Sequence, residues 1–271
     1  MMTMKDYVAL EKATLKTFAT GLPVKPHLVI IQANDNEGSN IYIKGKISDC
    51  AEVGFLATHI KLPVSTTQDQ LIRLIEQYNQ DPAVHGVIVQ VPLPSTIDQQ
   101  AIKLAVSPLK DVDGFHPLSP MIACTPKGIV DYLKHEGFKL QGKNVVVLGR
   151  SYIVGRPLAK IMVDENATVT TLHSRSSEED RLRALAHADL ICVAIGKKGY
   201  LAHQPLKPTA WIIDIGITRE QGQIFGDVLP HRPVAFQSPV PGGVGLLTRL
   251  ALLKNLKEAY TKRFPPKPLN D

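Results

Sequence analysis

Long apolar runs and cysteines are both scarce in this chain of 271 residues. No stretch reaches the roughly 18 apolar residues that a membrane-spanning helix needs, so we expect no such helix. The N-terminal segment has charges throughout and no apolar block before a small-residue cleavage site, which argues against a secretory signal. The three cysteines, Cys50, Cys124 and Cys192, are far apart and fit no metal-ligand spacing. We interpret them as buried free thiols, and we expect a cytoplasmic protein without a metal site.

A strong charge of one sign is also missing, because the charges of 31 lysines and arginines are largely balanced by those of 25 aspartates and glutamates. Nucleic-acid-binding chains concentrate basic residues in a stripe with aromatic residues. Here the basic residues are scattered, with a modest cluster only at the C-terminal end, which argues against nucleic acid as a partner. The small basic excess suits an anionic small molecule equally well.

Helix-like and strand-like segments alternate along the first half of the chain. Helical periods and apolar runs follow one another at 4–19, 27–33, 38–54, 55–62, 67–79 and 86–94. Continuous apolar strands separated by helices indicate parallel pairing with both faces of the sheet covered.

The pattern restarts near residue 120, where Thr125 suits a helix N-cap, Pro126 the first helical position and Gly137 the helix end. Four apolar runs follow, with helices predicted between them: "KNVVVLGRS", "ATVTTLHSRS", "ADLICVAIG" and "WIIDIGI". A last helix begins at "GGVGLLTRL", and the proline-rich "PPKPLND" ends the chain. The order of segments predicts an α/β protein with two doubly wound units.

A glycine-containing turn opens the second unit at "VVVLGRSYIVGRPLA". Gly149, Ser151 and Gly155 stand between an apolar strand and a helix predicted to begin near residues 154–157. Small residues there let the backbone approach a pyrophosphate, and the helix N-terminus supplies N–H groups and partial positive charge. A plain strand-to-helix turn is the alternative interpretation.

The end of the following strand lacks an acidic residue. A dinucleotide-binding fold that uses NAD normally places Asp or Glu there, on the ribose 2′-hydroxyl. This chain has Ser174 and Arg175 instead, and Arg150 adds a positive charge in the turn. Since an arginine and a hydroxyl hold a 2′-phosphate that an acid would repel, we predict NADP rather than NAD. The alternative is that Arg175 is simply a solvated strand end.

The stretch "SNIYIKGKISDC" places Tyr42 and Lys46 four residues apart on a predicted helix. On a helical wheel both border an apolar stripe, whereas Lys44 falls on the far side, in water. We expect that stripe to consist of Ile43, Ile47, Cys50 and Gly54. The spacing therefore favours Lys46 over Lys44 as the functional lysine, although a snorkelling lysine would give the same pattern.

Polar residues also mark the end of the third apolar run. Gln90 lies in "VIVQVPLP", where an amide needs hydrogen-bond partners, and strand ends in open α/β sheets face the ligand crevice. The segment "LKDVDGFHP" then places Asp111 and Asp113 in a tight turn. Either carboxylate can cap that turn, and capping is our preferred interpretation of Asp111.

Taken together, these segments resemble the bifunctional methylenetetrahydrofolate dehydrogenase/methenyltetrahydrofolate cyclohydrolase family. The matching stretches occur in the family's order: "SNIYIKGK", "GVIVQVPLP", "KDVDGFHP", "CTPKGIVDYL", "GRSYIVGRPLA", "ATVTTLHSRS", "IIDIGI" and "SPVPGGVG". The resemblance implies an N-terminal α/β substrate domain completed by the C-terminal helix (1–122 plus 243–271) and a Rossmann-type NADP-binding domain (123–242). It also implies a cleft between the two domains and a homodimer formed through the cofactor domains.

The resemblance further implies roles for individual residues. Tyr42 and Lys46 would be the paired active-site residues, with Gln90 bonded to the lysine and Asp113 gripping the pterin. Other substrate-site residues would be Val89, Val91, Pro241, Gly242, Gly243, Val244 and Gly245, the last five in a loop that closes over the substrate. The NADP site would be lined by Gly149, Arg150, Ser151, Ser174, Arg175 and Ile217. The basic excess would suit a folate tail, which often carries several carboxylates.

Three positions depart from the family's usual pattern. Ser48 replaces a lysine, Leu246 replaces a proline after the glycine loop, and "IIQANDNEGS" lacks the usual glycine before the active-site helix. The expected function is oxidation of 5,10-methylenetetrahydrofolate with NADP, followed by hydrolysis to 10-formyltetrahydrofolate. The alternatives are a dehydrogenase with weak or lost cyclohydrolase activity, a non-catalytic folate- or nucleotide-binding regulator, and an unrelated Rossmann-type dehydrogenase.

Overall fold

Parallel sheets organise residues 1–263, which are the residues that the computed structural model describes. These residues divide into two units. The terminal unit comprises Ala9–Cys124 and the described residues from Arg249 onward. The central unit comprises Met1–Val8 and Thr125–Thr248. The predicted proline-rich "PPKPLND" lies outside the described residues.

The N-terminal half of the chain alternates helices with strands, as predicted. Its elements are α1 (Met4–Ala19), β1 (His27–Gln32), α2 (Glu37–Glu52), β2 (Leu56–Lys61), α3 (Gln68–Gln80), β3 (Gly86–Gln90) and α4 (Gln99–Ala105). The three strands are parallel and pair in the order β2-β1-β3. The short helix α4 was not predicted, because its seven residues span barely two turns of helical period.

Strand β1 lies in the middle of the three-stranded sheet and is buried along nearly its whole length, which explains its continuous apolar sequence. Val29 and Ile31 pack on one side with Leu71 and Ile75 of α3, and all four are fully buried. Helix α3 begins with a capping box in which the Thr67 side chain accepts from the Gln70 backbone N–H. The parallel sheet is therefore covered by helices, which leaves the carboxyl ends of its strands to carry polar residues.

The central unit holds the second sheet. The elements from residue 124 onward are α5 (Cys124–His135), β4 (Asn144–Leu148), α6 (Gly155–Asp164), β5 (Thr168–Leu172), α7 (Glu178–His187), β6 (Leu190–Val193), β7 (Trp211–Asp214), β8 (Thr218–Glu220), β9 (Gln223–Phe225), β10 (Phe236–Gln237) and α8 (Val244–Arg263). Five strands form a parallel sheet in the order β10-β7-β6-β4-β5, and β8 and β9 form an antiparallel hairpin. The two predicted parallel sheets and the α/β class are confirmed.

Several local predictions for this unit need correction. Helix α5 begins at Cys124, so Thr125 is in the first turn and not at the N-cap; its hydroxyl lies 2.9 Å from the Thr248 hydroxyl. Gly137 does end α5, with φ at +75°. No helix joins β6 to β7, where residues 194–210 form turns and irregular backbone. The hairpin and β10 were missed, since strands of two or three residues carry no readable period.

Within residues 1–263, no helix combines the length and the apolar content needed to cross a bilayer.

Candidate active site

Helix α2 carries Tyr42 and Lys46 and is positioned by its own N-cap. The side chain of Asn36 accepts a hydrogen bond of 3.1 Å from the Ser39 backbone N–H, which satisfies one of the unpaired donors of the first turn. Gly54, with φ at +77°, follows the helix end in a conformation that favours glycine. The helix is thereby fixed at both ends.

Lys46 lies nearer to the centre of the buried face of α2 than the apolar pattern predicts. Lys46 is only 6% exposed and Lys44 is exposed, so the predicted difference between the two lysines is confirmed. The predicted stripe is displaced, however, because the polar residues Ser39 and Asp49 are buried while Gly54 is exposed. Lys46 therefore lies in the middle of the buried face and not at its border.

The Lys46 ammonium has two neighbours within the terminal unit. Its Nζ donates a hydrogen bond of 3.2 Å to Gln90 Oε1 and lies 5.2 Å from the centroid of the Tyr42 ring. The Gln90 Nε2 group donates to the Val91 carbonyl at 2.8 Å, which turns the amide oxygen toward the lysine. Gln90 is the last residue of β3, at the carboxyl edge where ligands of α/β sheets bind. Tyr42, Lys46 and Gln90 thus form one cluster.

The two aspartates of the "KDVDG" turn differ in their surroundings. Asp111 is buried, and its carboxylate accepts from the backbone N–H groups of Gly114 at 3.1 Å and His116 at 2.7 Å. The predicted capping role of Asp111 is confirmed. Burial raises the pKa of Asp111 above its usual value, against the lowering effect of the His116 N–H.

Asp113 is less buried than Asp111, and both line a pocket. The Asp113 backbone carbonyl accepts from the Cys124 N–H at 3.2 Å, while its half-buried side chain lines the same pocket as Val89, Val91 and Phe115. The pocket lies in the terminal unit, along the strand that ends at Gln90. A carboxylate in this position can accept two parallel N–H bonds from a heterocycle.

The turn between β4 and α6 is shaped for a close approach of backbone. Gly149 has φ at +116°, and a Cβ there would overlap the carbonyl oxygen of Ala194. A Cβ at Gly155 would overlap the carbonyl oxygen of Gly149. The hydroxyl of Ser151 accepts from the N–H groups of Val154 and Gly155, both at 3.2 Å, at the start of α6. This turn suits a pyrophosphate, because it precedes a helix N-terminus with its N–H groups and partial positive charge.

The remaining predicted cofactor residues have exposed side chains in the central unit. Arg150 and Ser151 are exposed in the β4–α6 turn. Ser174 and Arg175 are exposed just after β5, and Arg175 lines a pocket there. Ile217 is 54% exposed after β7, so its side chain is accessible to a ligand. The donor set fits a dinucleotide that carries a 2′-phosphate.

Sequence reasoning missed a buried aspartate that shapes the strand ends of this unit. Asp227 is fully buried. Its carboxylate accepts hydrogen bonds of 2.7–2.9 Å from three consecutive backbone N–H groups, at Ile195, Gly196 and Lys197. Asp214 in turn accepts from the Asp227 N–H at 3.0 Å, and burial raises the pKa of Asp214 to about 6. The only sequence signal was an acidic residue within each of two apolar segments.

The glycine loop belongs to the central unit, which extends to Thr248. Pro241 and Gly242 are exposed, and Gly242 has φ at +89°. Gly243 and Val244 are buried, Gly245 is half-buried, and α8 begins at Val244.

The described residues contain three free cysteines and no cluster that could hold a metal ion. All three cysteines are buried free thiols, as predicted, and burial raises the pKa of Cys50 and Cys192 to about 12. Residues 1–263 contain no group of three or more His, Cys, Asp or Glu that could hold a metal ion.

Comparison with known proteins gives consistent matches over nearly the whole chain. Residues 3–113 match the family model "Tetrahydrofolate dehydrogenase/cyclohydrolase, catalytic domain", and residues 123–264 match its "NAD(P)-binding domain". The bifunctional protein FolD of Streptococcus pneumoniae is 41% identical over 97% of this chain and 95% of its own length.

Solved structures show the same relationship. The bifunctional enzyme FolD of Campylobacter jejuni has a TM-score of 0.92 at 34% identity, covering 96% of this chain and 98% of that one. FolD of Trypanosoma brucei, solved with NADP cofactor and inhibitor, also has a TM-score of 0.92, at 28% identity and 98% coverage of both chains.

Proposed function

This chain belongs to the tetrahydrofolate dehydrogenase/cyclohydrolase family, and from that premise we propose how its residues carry out the two reactions. The enzyme oxidises 5,10-methylenetetrahydrofolate to 5,10-methenyltetrahydrofolate with NADP and hydrolyses the product to 10-formyltetrahydrofolate. Its substrates are tetrahydrofolate derivatives, and it acts in one-carbon metabolism.

For the dehydrogenase reaction, NADP would supply the acceptor for the hydride that leaves the one-carbon bridge. The nitrogen lone pair beside that bridge drives the hydride out, so the protein needs no strong acid or base and mainly aligns the two rings. We assign the pyrophosphate to Gly149 and Ser151 and the 2′-phosphate to Ser174 and Arg175. The exposure of Ser151, Ser174 and Arg175, and the place of Gly149 and Ser151 before the N-terminus of α6, support this assignment.

Two further residues complete the assignment of the cofactor site. Arg150 adds positive charge in the turn, and Ile217 offers an exposed apolar side chain to a ring of the cofactor. The NADP preference rests on Arg175, since an arginine is able to bind a 2′-phosphate in a bidentate manner.

On the folate side, Asp113 accepts two N–H bonds from the edge of the pterin. Val89 and Val91 line the same pocket and supply apolar contact. Tyr42 stacks against the folate or bonds to it and holds the lysine side chain, as its 5.2 Å distance to Lys46 Nζ supports. We also assign residues 241–245 to substrate binding.

For the hydrolysis, water adds to the carbon of the methenyl bridge and one carbon–nitrogen bond breaks. The water gives up both of its protons as its oxygen becomes the formyl oxygen: one passes to the leaving ring nitrogen and the other is released. Lys46 is the proton-transfer group for this exchange, and Gln90 holds its ammonium in place. The single observation that carries this proposal is the 3.2 Å hydrogen bond between buried Lys46 and Gln90, at the carboxyl edge of the sheet.

A spectrophotometric assay of both reactions, run side by side with NADP and NAD, tests the proposed function. We expect methenyl product from methylenetetrahydrofolate with NADP, and hydrolysis of added methenyltetrahydrofolate well above the rate in buffer. Hydrolysis at the buffer rate would leave only a dehydrogenase. Ligand binding by calorimetry without turnover would indicate a non-catalytic regulator.

We propose that residues 1–122 and 243–271 bind the folate and residues 123–242 bind NADP. We also propose a cytoplasmic enzyme that forms a homodimer through its cofactor-binding region and accepts polyglutamylated folates. The formal charge of +6 supports the last point, because each added glutamate carries a carboxylate. Light scattering during size-exclusion chromatography would measure twice the 29.7 kDa chain mass for a dimer.

A further inference from the structure

Asn34 lies just beyond β1 and reaches across to the neighbouring strand. It is 8% exposed, and its Nδ2 donates to the Pro92 carbonyl at 2.7 Å and more weakly to the Gln90 carbonyl at 3.4 Å. The two strands are paired in parallel there, with Gln32 opposite Gln90. Asn34 therefore ties the end of β1 to the segment that follows β3.

The orientation of the Asn34 amide is determined by its other bonds. Its Oδ1 accepts from the Asn36 N–H at 3.0 Å and from Gln32 Nε2 at 3.3 Å. Gln32 is fully buried and is itself held by His59 Nε2, 2.9 Å from its Oε1, and by Asn40 Oδ1, 2.7 Å from its Nε2. Only the Nδ2 group of Asn34 can then face the two carbonyls, because an amide oxygen there would repel them.

The segment that Asn34 holds carries the partner of Lys46. The Val91 carbonyl accepts from Gln90 Nε2 at 2.8 Å and from Ser39 Oγ at 3.3 Å. Because the Gln90 side chain bonds to this carbonyl, a movement of the Val91–Pro92 peptide turns the Gln90 amide and changes its distance to Lys46. The position of the lysine therefore depends on a contact made two residues after the end of β1.

We propose that Asn34 is a positioning residue for the hydrolysis: it fixes the 90–92 segment, and so the Gln90 amide that orients Lys46. The inference rests on the proposed role of Lys46 and Gln90. Hydride transfer needs no proton-transfer group, so the loss of Asn34 affects the hydrolysis more than the oxidation.

Two substitutions separate the hydrogen bonds from the packing of this side chain. Asn34→Asp keeps the size and the Oδ1 acceptor but removes both donations, and Asn34→Ala removes the side chain without adding charge. We expect each to lower kcat for methenyltetrahydrofolate hydrolysis on the order of tenfold, the effect of a small displacement of a reacting group. The dehydrogenase kcat and the KM for NADP should stay close to those of the unchanged enzyme.

Asn40→Ala is the matched control, because it removes a partner of Gln32 that makes no bond to the 90–92 segment. It should leave the ratio of the two activities unchanged. If an Asn34 variant does not fold, Ser39→Ala removes a single bond to Val91 and should shift the ratio in the same direction, by less. In a Gln90→Ala background, Asn34→Ala should cause no further loss of hydrolysis.

Two results would overturn the inference: equal losses of both activities in the Asn34 variants, or full hydrolysis in both variants. Lys46→Met separates this failure from a failure of the proposed function. If Lys46→Met abolishes hydrolysis while the Asn34 variants retain it, only the positioning role is wrong. If Lys46→Met itself retains hydrolysis, the proposed role of the lysine is wrong as well.

Discussion

Lys44 and Lys46 show how strongly the position of a residue on a helix affects its burial and its contacts. Both have the same side chain and both lie in α2, but Lys44 is exposed whereas Lys46 is buried and donates to Gln90. Their order in the sequence predicted this difference, since four residues separate Lys46 from Tyr42 and the helical period places both on one side. The hydrogen-bond partner, Gln90, lies on strand β3, and its identity followed from the family resemblance and not from the spacing.

Replacing each lysine with methionine tests the assignment at this scale. Lys46→Met keeps most of the length of the side chain but removes the ammonium, so we expect hydrolysis of methenyltetrahydrofolate to be nearly abolished. Lys44→Met removes an exposed charge and should have little effect. Initial rates of hydrolysis measure both, and equal losses would contradict the assignment of Lys46.

Arg175 determines the choice of cofactor in our proposal. We expect Arg175→Ala to raise the KM for NADP by roughly tenfold to a hundredfold, because a charge-assisted hydrogen bond contributes about 1.5–3 kcal/mol. The KM for NAD, which has no 2′-phosphate, should change little. Arg183→Ala is a suitable control, since Arg183 lines the same pocket but pairs with Asp180. An unchanged ratio of the two KM values would remove the basis for the NADP preference.

At the scale of elements, the β4–α6 turn was placed correctly from sequence but its shape was not. The pattern of small residues marked where the strand ends and the helix begins. It did not reveal that Gly149 lies against Ala194, which follows a different strand, or that Asp227 holds the next three residues. Contacts between distant segments leave no periodic pattern in the chain.

Two glycine substitutions measure the importance of that close approach. Gly149→Ala would place a methyl group on the Ala194 carbonyl oxygen, so we expect a large loss of stability and of NADP binding. Gly142→Ala is the matched control, because Gly142 also has positive φ but nothing within 4 Å of an added Cβ. It should cost about 1–2 kcal/mol from backbone conformation alone. Urea unfolding and NADP titration compare the two, and equal effects would contradict the steric explanation.

For the whole molecule, the folded state also controls how stability responds to pH. His85 is buried; its Nδ1 accepts from the His27 backbone N–H at 3.1 Å, and its ring lies 5.0 Å from that of Tyr260 in α8. Burial lowers the pKa of His85 to about 4, with nearby positive charges adding to the effect. The unfolded chain binds a proton near pH 6.5, whereas the folded chain resists it.

We therefore expect the free energy of unfolding to fall as the pH decreases from about 6.5 to about 4. Above pH 6.5 His85 makes its full contribution to the free energy of unfolding. This contribution, on the order of 1–3 kcal/mol, is lost as the pH falls to about 4. His85→Gln should show a smaller decrease, although His59, whose pKa is also lowered by burial, acts in the same direction. Urea unfolding at several pH values provides the measurement, and equal pH dependence in both proteins would rule out His85 as the cause.

The sequence by itself determined the α/β class, the order of the long elements, the parallel pairing and the exposed and buried lysines of α2. Each depends on neighbouring residues or on a period that the chain repeats. Only the tertiary structure decided where the buried face of α2 lies, to which carbonyls Asn34 donates, and how the Asp227 carboxylate binds the backbone of the segment after β6. These features join residues far apart in the chain, because a buried polar group must find its partner wherever the fold places one.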